Sequence, residues 1–70
     1  MFKIKIIYYS VVDEDSREFF THLPIIPDVN SSMYIKTKSG GMDCALIKSI
    51  IYVLNKEDEF EFIELMVSDS

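Results

Sequence analysis

The sequence predicts an all-β fold, a small five-stranded, mainly antiparallel barrel forming one domain over residues 1–70. Three observations carry this expectation. Ten isoleucines and five valines stand against a single alanine, Ala45, and β-branched side chains suit a pleated sheet while alanine suits a helix. The N-terminal segment alternates strictly between two kinds of side chain. Finally, Leu23-Pro24-Ile25-Ile26-Pro27-Asp28-Val29 places two prolines three apart in an apolar run. Proline lacks the backbone donor and drives the preceding residue into extended geometry, so this run is an irregular connection that still seeks burial.

Phe2, Ile4, Ile6 and Tyr8 alternate with Lys3, Lys5, Ile7 and Tyr9, the period-two signature of a half-buried strand. Asp13-Glu14-Asp15-Ser16 reads as a polar turn, and Arg17 to His22 returns as the second strand. A short helix capped by Asp13 or Ser16 competes there, but the Phe19-Phe20 pair is too short a signal for helical period. After the proline connection, Met33 to Thr37 forms a short strand. Ser39-Gly40-Gly41 is a hairpin signal because both glycines allow positive φ.

Ala45 to Leu54 supports two readings. Leu46, Ile47, Ile50, Ile51 and Leu54 fall on one helical stripe with Asp43 as N-cap, which would give an α+β fold with a helix over residues 43–55. The favoured reading is a strand bulged at Lys48-Ser49, with Ala45 and Ile47 inward before the bulge and Ile50, Tyr52 and Leu54 after it. Asn55-Lys56-Glu57-Asp58 is a turn, and Glu59 to Val67 is the last strand. Its inward parity changes from Phe60 and Phe62 to Ile63, Leu65 and Val67. Residues 68–70 read as a frayed tail.

This order of elements resembles small SH3-like barrel proteins of phages, prophages and Bacteroides-type bacteria. In many of those, a Leu-Pro-phi-phi-Pro-x-Val-Gly-Asp stretch, where phi is apolar, enters the second half of the barrel. Leu23, Pro24, Ile25, Ile26, Pro27 and Val29 match it. Asn30-Ser31 stands where the pattern has Gly-Asp, and asparagine best tolerates the left-handed backbone region among non-glycine residues. The resemblance implies an SH3-like barrel and, by analogy only, a phage-derived accessory or inhibitor protein. It implies a fold more than an activity.

At this length only about 60% of the unfolded chain's surface can be buried. The chain meets that difficulty with 49% hydrophobic residues. One cysteine, Cys44, excludes an intramolecular disulfide and a thiolate metal cluster within one chain, which favours a reducing, cytoplasmic setting. No apolar run approaches the ~20 residues that span a bilayer, so no membrane is expected. The net charge of −5 argues against general affinity for nucleic-acid phosphates.

No residue constellation points to an enzyme, a cofactor or a metal. Thr21 and Ser10, the hydroxyls weighed as companions of His22, make no catalytic arrangement with it. Cys44 lies beside Asp43, whose carboxylate opposes thiolate formation. Lys36-Thr37-Lys38-Ser39-Gly40-Gly41 lacks the order of a phosphate loop and reads as a solvated hairpin whose lysines guard an edge. Glu57-Asp58-Glu59-x-Glu61-x-x-Glu64, interleaved with Phe60, Phe62 and Ile63, lacks calcium-loop spacing. It reads either as a solvated strand face or as a strip for a basic partner, and with Asp13, Glu14 and Asp15 it would form one acidic surface if the two segments met.

Surplus apolar residues at the outward parity are the remaining feature: Ile7, Tyr9, Val12, Ile51 and Val53. Either the proline connection covers them or they form a partner surface. The function expected is a non-enzymatic protein-interaction module, self-associating or docking on a larger assembly. Its partner-binding residues would be Ile7, Tyr9, Ile51, Val53, Glu57, Glu59 and Glu61, and its partner a protein or a second copy. The alternative is a nucleic-acid-binding barrel stacking bases on Tyr8, Tyr9, Tyr34 or Phe20.

Overall fold

The computed structural model describes residues 1–12 and 14–69, in which the helix and strand structure is all β. Five strands occur among the described residues: β1 (Phe2–Ser10), β2 (Asp15–Leu23), β3 (Ser32–Lys36), β4 (Met42–Leu54) and β5 (Phe60–Ser68). They form one sheet in the order β2-β1-β5-β4-β3, curled into a half-barrel.

The curl follows from the alternation. Ile4, Ile6 and Tyr8 of β1, Ile63, Leu65 and Val67 of β5, Ala45 and Ile47 of β4 and Ile35 of β3 are buried together. Side chains in register share a face, so the pairs Ile6↔Phe19, Ile6↔Leu65 and Ile50↔Leu65 run one apolar row across four strands. One sheet without a second layer can shelter such a face only by wrapping around it.

The expected antiparallel sheet is corrected at one pairing. β1 and β5 run parallel, from Ile4↔Ile63 to Tyr9↔Ser68, while the β1–β2, β3–β4 and β4–β5 pairs are antiparallel. The reason is parity. Strands that reverse direction at every turn leave the first and fifth pointing the same way, so they must pair in parallel once they become neighbours.

Residues 43–55 form no helix. The segment is β4, with register shifts between Ile47 and Ser49 and between Val53 and Leu54. The first shift makes Lys48 the extra residue of a bulge, as the strand reading requires, and turns Ile50 inward after Ile47. The second makes Glu61 the extra residue of β5, so the parity changes there. Phe60 pairs with Leu54, but Phe62, expected inward, is corrected to the outer face opposite Val53 and against Phe20. The helical stripe would have grouped Leu46, Ile51 and Leu54, which are all exposed.

The connection over residues 24–31 is irregular, and Leu23 and Ile26 pack half-buried against the core, while Ile25 is exposed. Asn30 takes a φ of 72°, the left-handed conformation that asparagine tolerates. Its N–H bonds to the Ile47 carbonyl at 2.8 Å, and the Ile47 N–H returns to the Ser31 carbonyl at 2.9 Å. The β3–β4 turn uses Gly40 at φ 92°. Of the expected polar turn over residues 13–16, Asp13 lies outside the described residues, and Asp15 and Ser16 already belong to β2. The expected frayed tail gives way as well: Ser68 closes β5 and Asp69 accepts two hydrogen bonds, while Ser70 lies outside the described residues.

Beyond Ile47, β4 has only β5 beside it, and the two continue as an arm toward the turn at residues 55–59. This arm gives the molecule its long dimension of 41 Å against 19 Å in the other two. Tyr52 sits in the row of buried Ile63 but is 60% exposed, because the arm has left the barrel.

The contrast between those neighbours is measurable. Leu65→Ala, at the centre of the sheet, is expected to cost about 2–5 kcal/mol, a large share of a small domain's stability. Tyr52→Ala should cost less than about 1 kcal/mol. Denaturant unfolding of both variants checks the difference.

Candidate functional site

The curl leaves β2 and β3 as the two edges of the sheet, facing each other without a strand between them among the described residues. Edge strands present rows of N–H and C=O groups that a further strand can take up. Between these edges lies a groove of about 670 Å³, with Ile6, Phe19, Leu23, Met33 and Ile35 as its apolar lining and Arg17, Glu18, Tyr34 and Lys36 among its rim residues. Alternation places Phe19, Thr21 and Leu23 of β2 on the inner face, in register with Ile6, Ile4 and Phe2. The groove is thus the unfilled side of the core.

Polar side chains close one end of this seam. Arg17 reaches from β2 to donate to the Lys36 carbonyl at 2.8 Å. Its guanidinium lies 5.1 Å from the centre of the Tyr8 ring and pairs with Asp15 at 3.1 Å. Lys38, on the β3–β4 turn, pairs with the same buried carboxylate at 3.2 Å. Tyr8 donates to Asp43 of β4 at 2.5 Å, and Asp69 accepts from the Ser10 hydroxyl at 2.6 Å and the Val11 N–H at 2.9 Å. An inward arginine is one way of protecting an edge strand from pairing. The stretch of β2 from Phe19 to Leu23, opposite Met33, has no such guard.

Burial pushes the Tyr8 phenol above its usual range, and its hydrogen bond to Asp43 adds to the effect. The hydrogen bond from Ser10, followed by that from the Val11 backbone, holds the Asp69 carboxyl below its usual range.

The residues expected to bind a partner divide into two groups. Ile7 and Tyr9 of β1 and Ile51 and Val53 of β4 share the convex outer face, with Glu64 and Met66 of β5 between them. Tyr9 and Ile51 are exposed, and Ile7 and Val53 are half-buried. The proline connection packs Ile26 against the core and does not cover this face. Glu57, Glu59 and Glu61 are exposed around the tip of the arm. There the Asn55 side chain caps the turn by accepting from the Glu57 and Glu59 N–H groups at 2.9 and 3.0 Å. The two acidic segments do not form one surface. Asp15 begins β2 opposite Ser10, at the end of the sheet away from the arm, and its charge is taken by Arg17 and Lys38; Asp13 lies outside the described residues.

The stacking alternative loses Tyr8, which is fully buried. Phe20 packs edge-on against Phe62 at 5.4 Å beneath Lys3, Tyr9 is on the convex face and Tyr34 stands at the seam rim. His22 lies opposite Lys3, and exposed Cys44 lies opposite Tyr34. Among the described residues, no group of three or more His, Cys, Asp or Glu side chains could hold a metal ion, and no helix is long and apolar enough to cross a membrane.

The sequence did not single out Phe19, Leu23 and Met33 as a site, since each reads as an ordinary strand residue until the curl brings β2 and β3 face to face. Compared with known proteins, the chain matches no family model, no curated protein and no solved structure.

Two pH limbs follow from the stitched end. With its pKa raised, folded Tyr8 keeps a proton that the unfolded chain releases, so stability falls as pH rises above about 10. With its pKa lowered, folded Asp69 stays ionised where the unfolded chain takes up a proton, so stability falls as pH drops below about 4. Denaturant midpoints across pH should show Tyr8→Phe losing part of the alkaline fall and Asp69→Asn losing part of the acid fall.

Proposed function

We propose that this protein is a non-enzymatic protein-interaction module that captures an extended segment of a partner protein between β2 and β3. The observation that carries the reading is the seam itself: two strand edges, unpaired with each other, flanking an apolar groove. Arg17 needs its side chain to cross from β2 to the Lys36 carbonyl, which suits a gap of about two ladder spacings, ~4.8 Å each, with room for one strand. Strand addition draws affinity from main-chain hydrogen bonds and specificity from alternate side chains. The segment favoured here alternates apolar residues, placing them against Phe19, Leu23 and Met33.

This reading needs neither cofactor nor reactive side chain, and docking on a larger assembly in a reducing cytoplasm is in keeping with it. The likeness of the Leu23–Val29 stretch to SH3-like barrels of phage or Bacteroides-type origin supports an accessory or inhibitory role by analogy.

A displayed library of random nonapeptides tests the proposal. Enriched peptides should alternate apolar residues, protect backbone amides of Phe19–Leu23 and Met33–Lys36 from exchange, and lose at least tenfold in affinity for Phe19→Glu and Tyr34→Glu variants. Tyr34 is 70% exposed, so the second variant should fold even if the first does not. Tyr9→Lys, on the opposite face, should bind as the parent does. Peptides that bind the seam variants equally well, or a library that yields none, would overturn the reading.

A further inference from the structure

The convex face carries a second surface, independent of the seam. Ile7, Tyr9, Lys48 and Met66 line one shallow depression of about 340 Å³, and Ile51 extends the apolar surface along β4. Tyr9, Ile51 and Met66 are 54%, 46% and 47% exposed. Isolated exposed apolar residues are ordinary, whereas a contiguous group on one sheet face marks a contact surface.

Two charges flank this group. Glu64 lies two residues before Met66 on β5, opposite Ile51. Lys48 is the bulged residue next to Ser49, the β4 partner of Met66, on the side of the patch away from Glu64. Neither forms an ion pair among the described residues; Lys5, which stands opposite Glu64 on β1, is paired with Glu18 at 3.5 Å, and Lys38 is paired with Asp15.

We infer that this face meets the same face of a second copy of the chain about a two-fold axis running across the strands at the level of Ile7 and Met66. Such an axis brings the apolar pair against its own image. It exchanges the two sides of the patch, so that Glu64 of each copy meets Lys48 of the other. A two-fold interface must be complementary to itself, and this one sets no like charge on the axis. A pairing of this size belongs with weak, reversible contacts. The resulting dimer would present two seams on its outer sides.

Sedimentation velocity of the full chain from low-micromolar to near-millimolar concentration tests the inference. The parent should shift from monomer to dimer, while Met66→Lys and Tyr9→Lys remain monomeric with unchanged circular dichroism. Glu64→Lys and Lys48→Glu should each raise the dimer dissociation constant about tenfold, as lone charge reversals at a contact do. The double reversal should return it to the parental value. The seam variant Tyr34→Glu should dimerise normally. A parent that stays monomeric throughout, a dimer indifferent to Met66→Lys, or a double reversal no tighter than the single ones would overturn it.

Discussion

A sheet with one apolar face, and no helix or second sheet to set against it, can bury that face only by curling around it. Among the described residues, the one five-stranded sheet is the only regular structure available to cover that face. Nine hydrophobic residues from β1, β3, β4 and β5 close on one another inside the curl, each removed from water at a gain of ~1.5–3 kcal/mol for a fully buried large side chain. Bulging at Lys48 belongs to this economy, because it turns Ile50 inward where an unbroken strand would have turned it out. The open edges are a consequence of the same curl, since the sheet bends far enough to bring β2 and β3 opposite each other without joining them.

The two ends of the half-barrel differ in chemistry. One is stitched by Tyr8 to Asp43, Arg17 to Lys36 and Asp69 to Ser10, links that join residues far apart in the chain. Hydrogen bonds to charged groups contribute about 1.5–3 kcal/mol where they are sheltered, less where water competes. Toward the other end, Leu23 and Ile26 pack half-buried beside the core and the arm carries exposed Tyr52, Leu54 and Phe60 away from it. A seam held at one end and unguarded along Phe19 to Leu23 is suited to admitting a strand without dismantling the core.

The two proposed surfaces make different demands. Strand capture uses backbone groups at the edges and is tolerant of partner sequence beyond its apolar alternation. The convex face uses side chains, and its selectivity comes from where Glu64 and Lys48 stand around Met66. Since the surfaces lie on opposite faces of the sheet, occupancy of one leaves the other accessible.

Much of the fold was legible because local rules governed it. The alternation from Phe2 to Tyr9, the positive φ of Gly40 in the β3–β4 turn, the prolines before Val29 and the parity switch at Lys48 each express a constraint acting within a few residues. Asn30 adopting positive φ is of the same kind. Ile7, Tyr9, Ile51 and Val53 were placed on one outer face from parity alone, whereas the separation of Asp15 from Glu57 depended on which strand ends meet. The parallel β1–β5 pair, the seam and the burial of Asp15 between Arg17 and Lys38 were beyond reach for that reason. They depend on how far the sheet curls and which edges it leaves free, and no short stretch of sequence encodes a distance between strands that never hydrogen-bond. The sequence alone determined the strands and the inward faces of β1 and of β4 up to Ile50, because side-chain period and turn chemistry are local, whereas Tyr52, Leu54 and Phe62 were expected inward and are not buried. The tertiary structure decided where the open edges meet, because curvature is a property of the whole sheet.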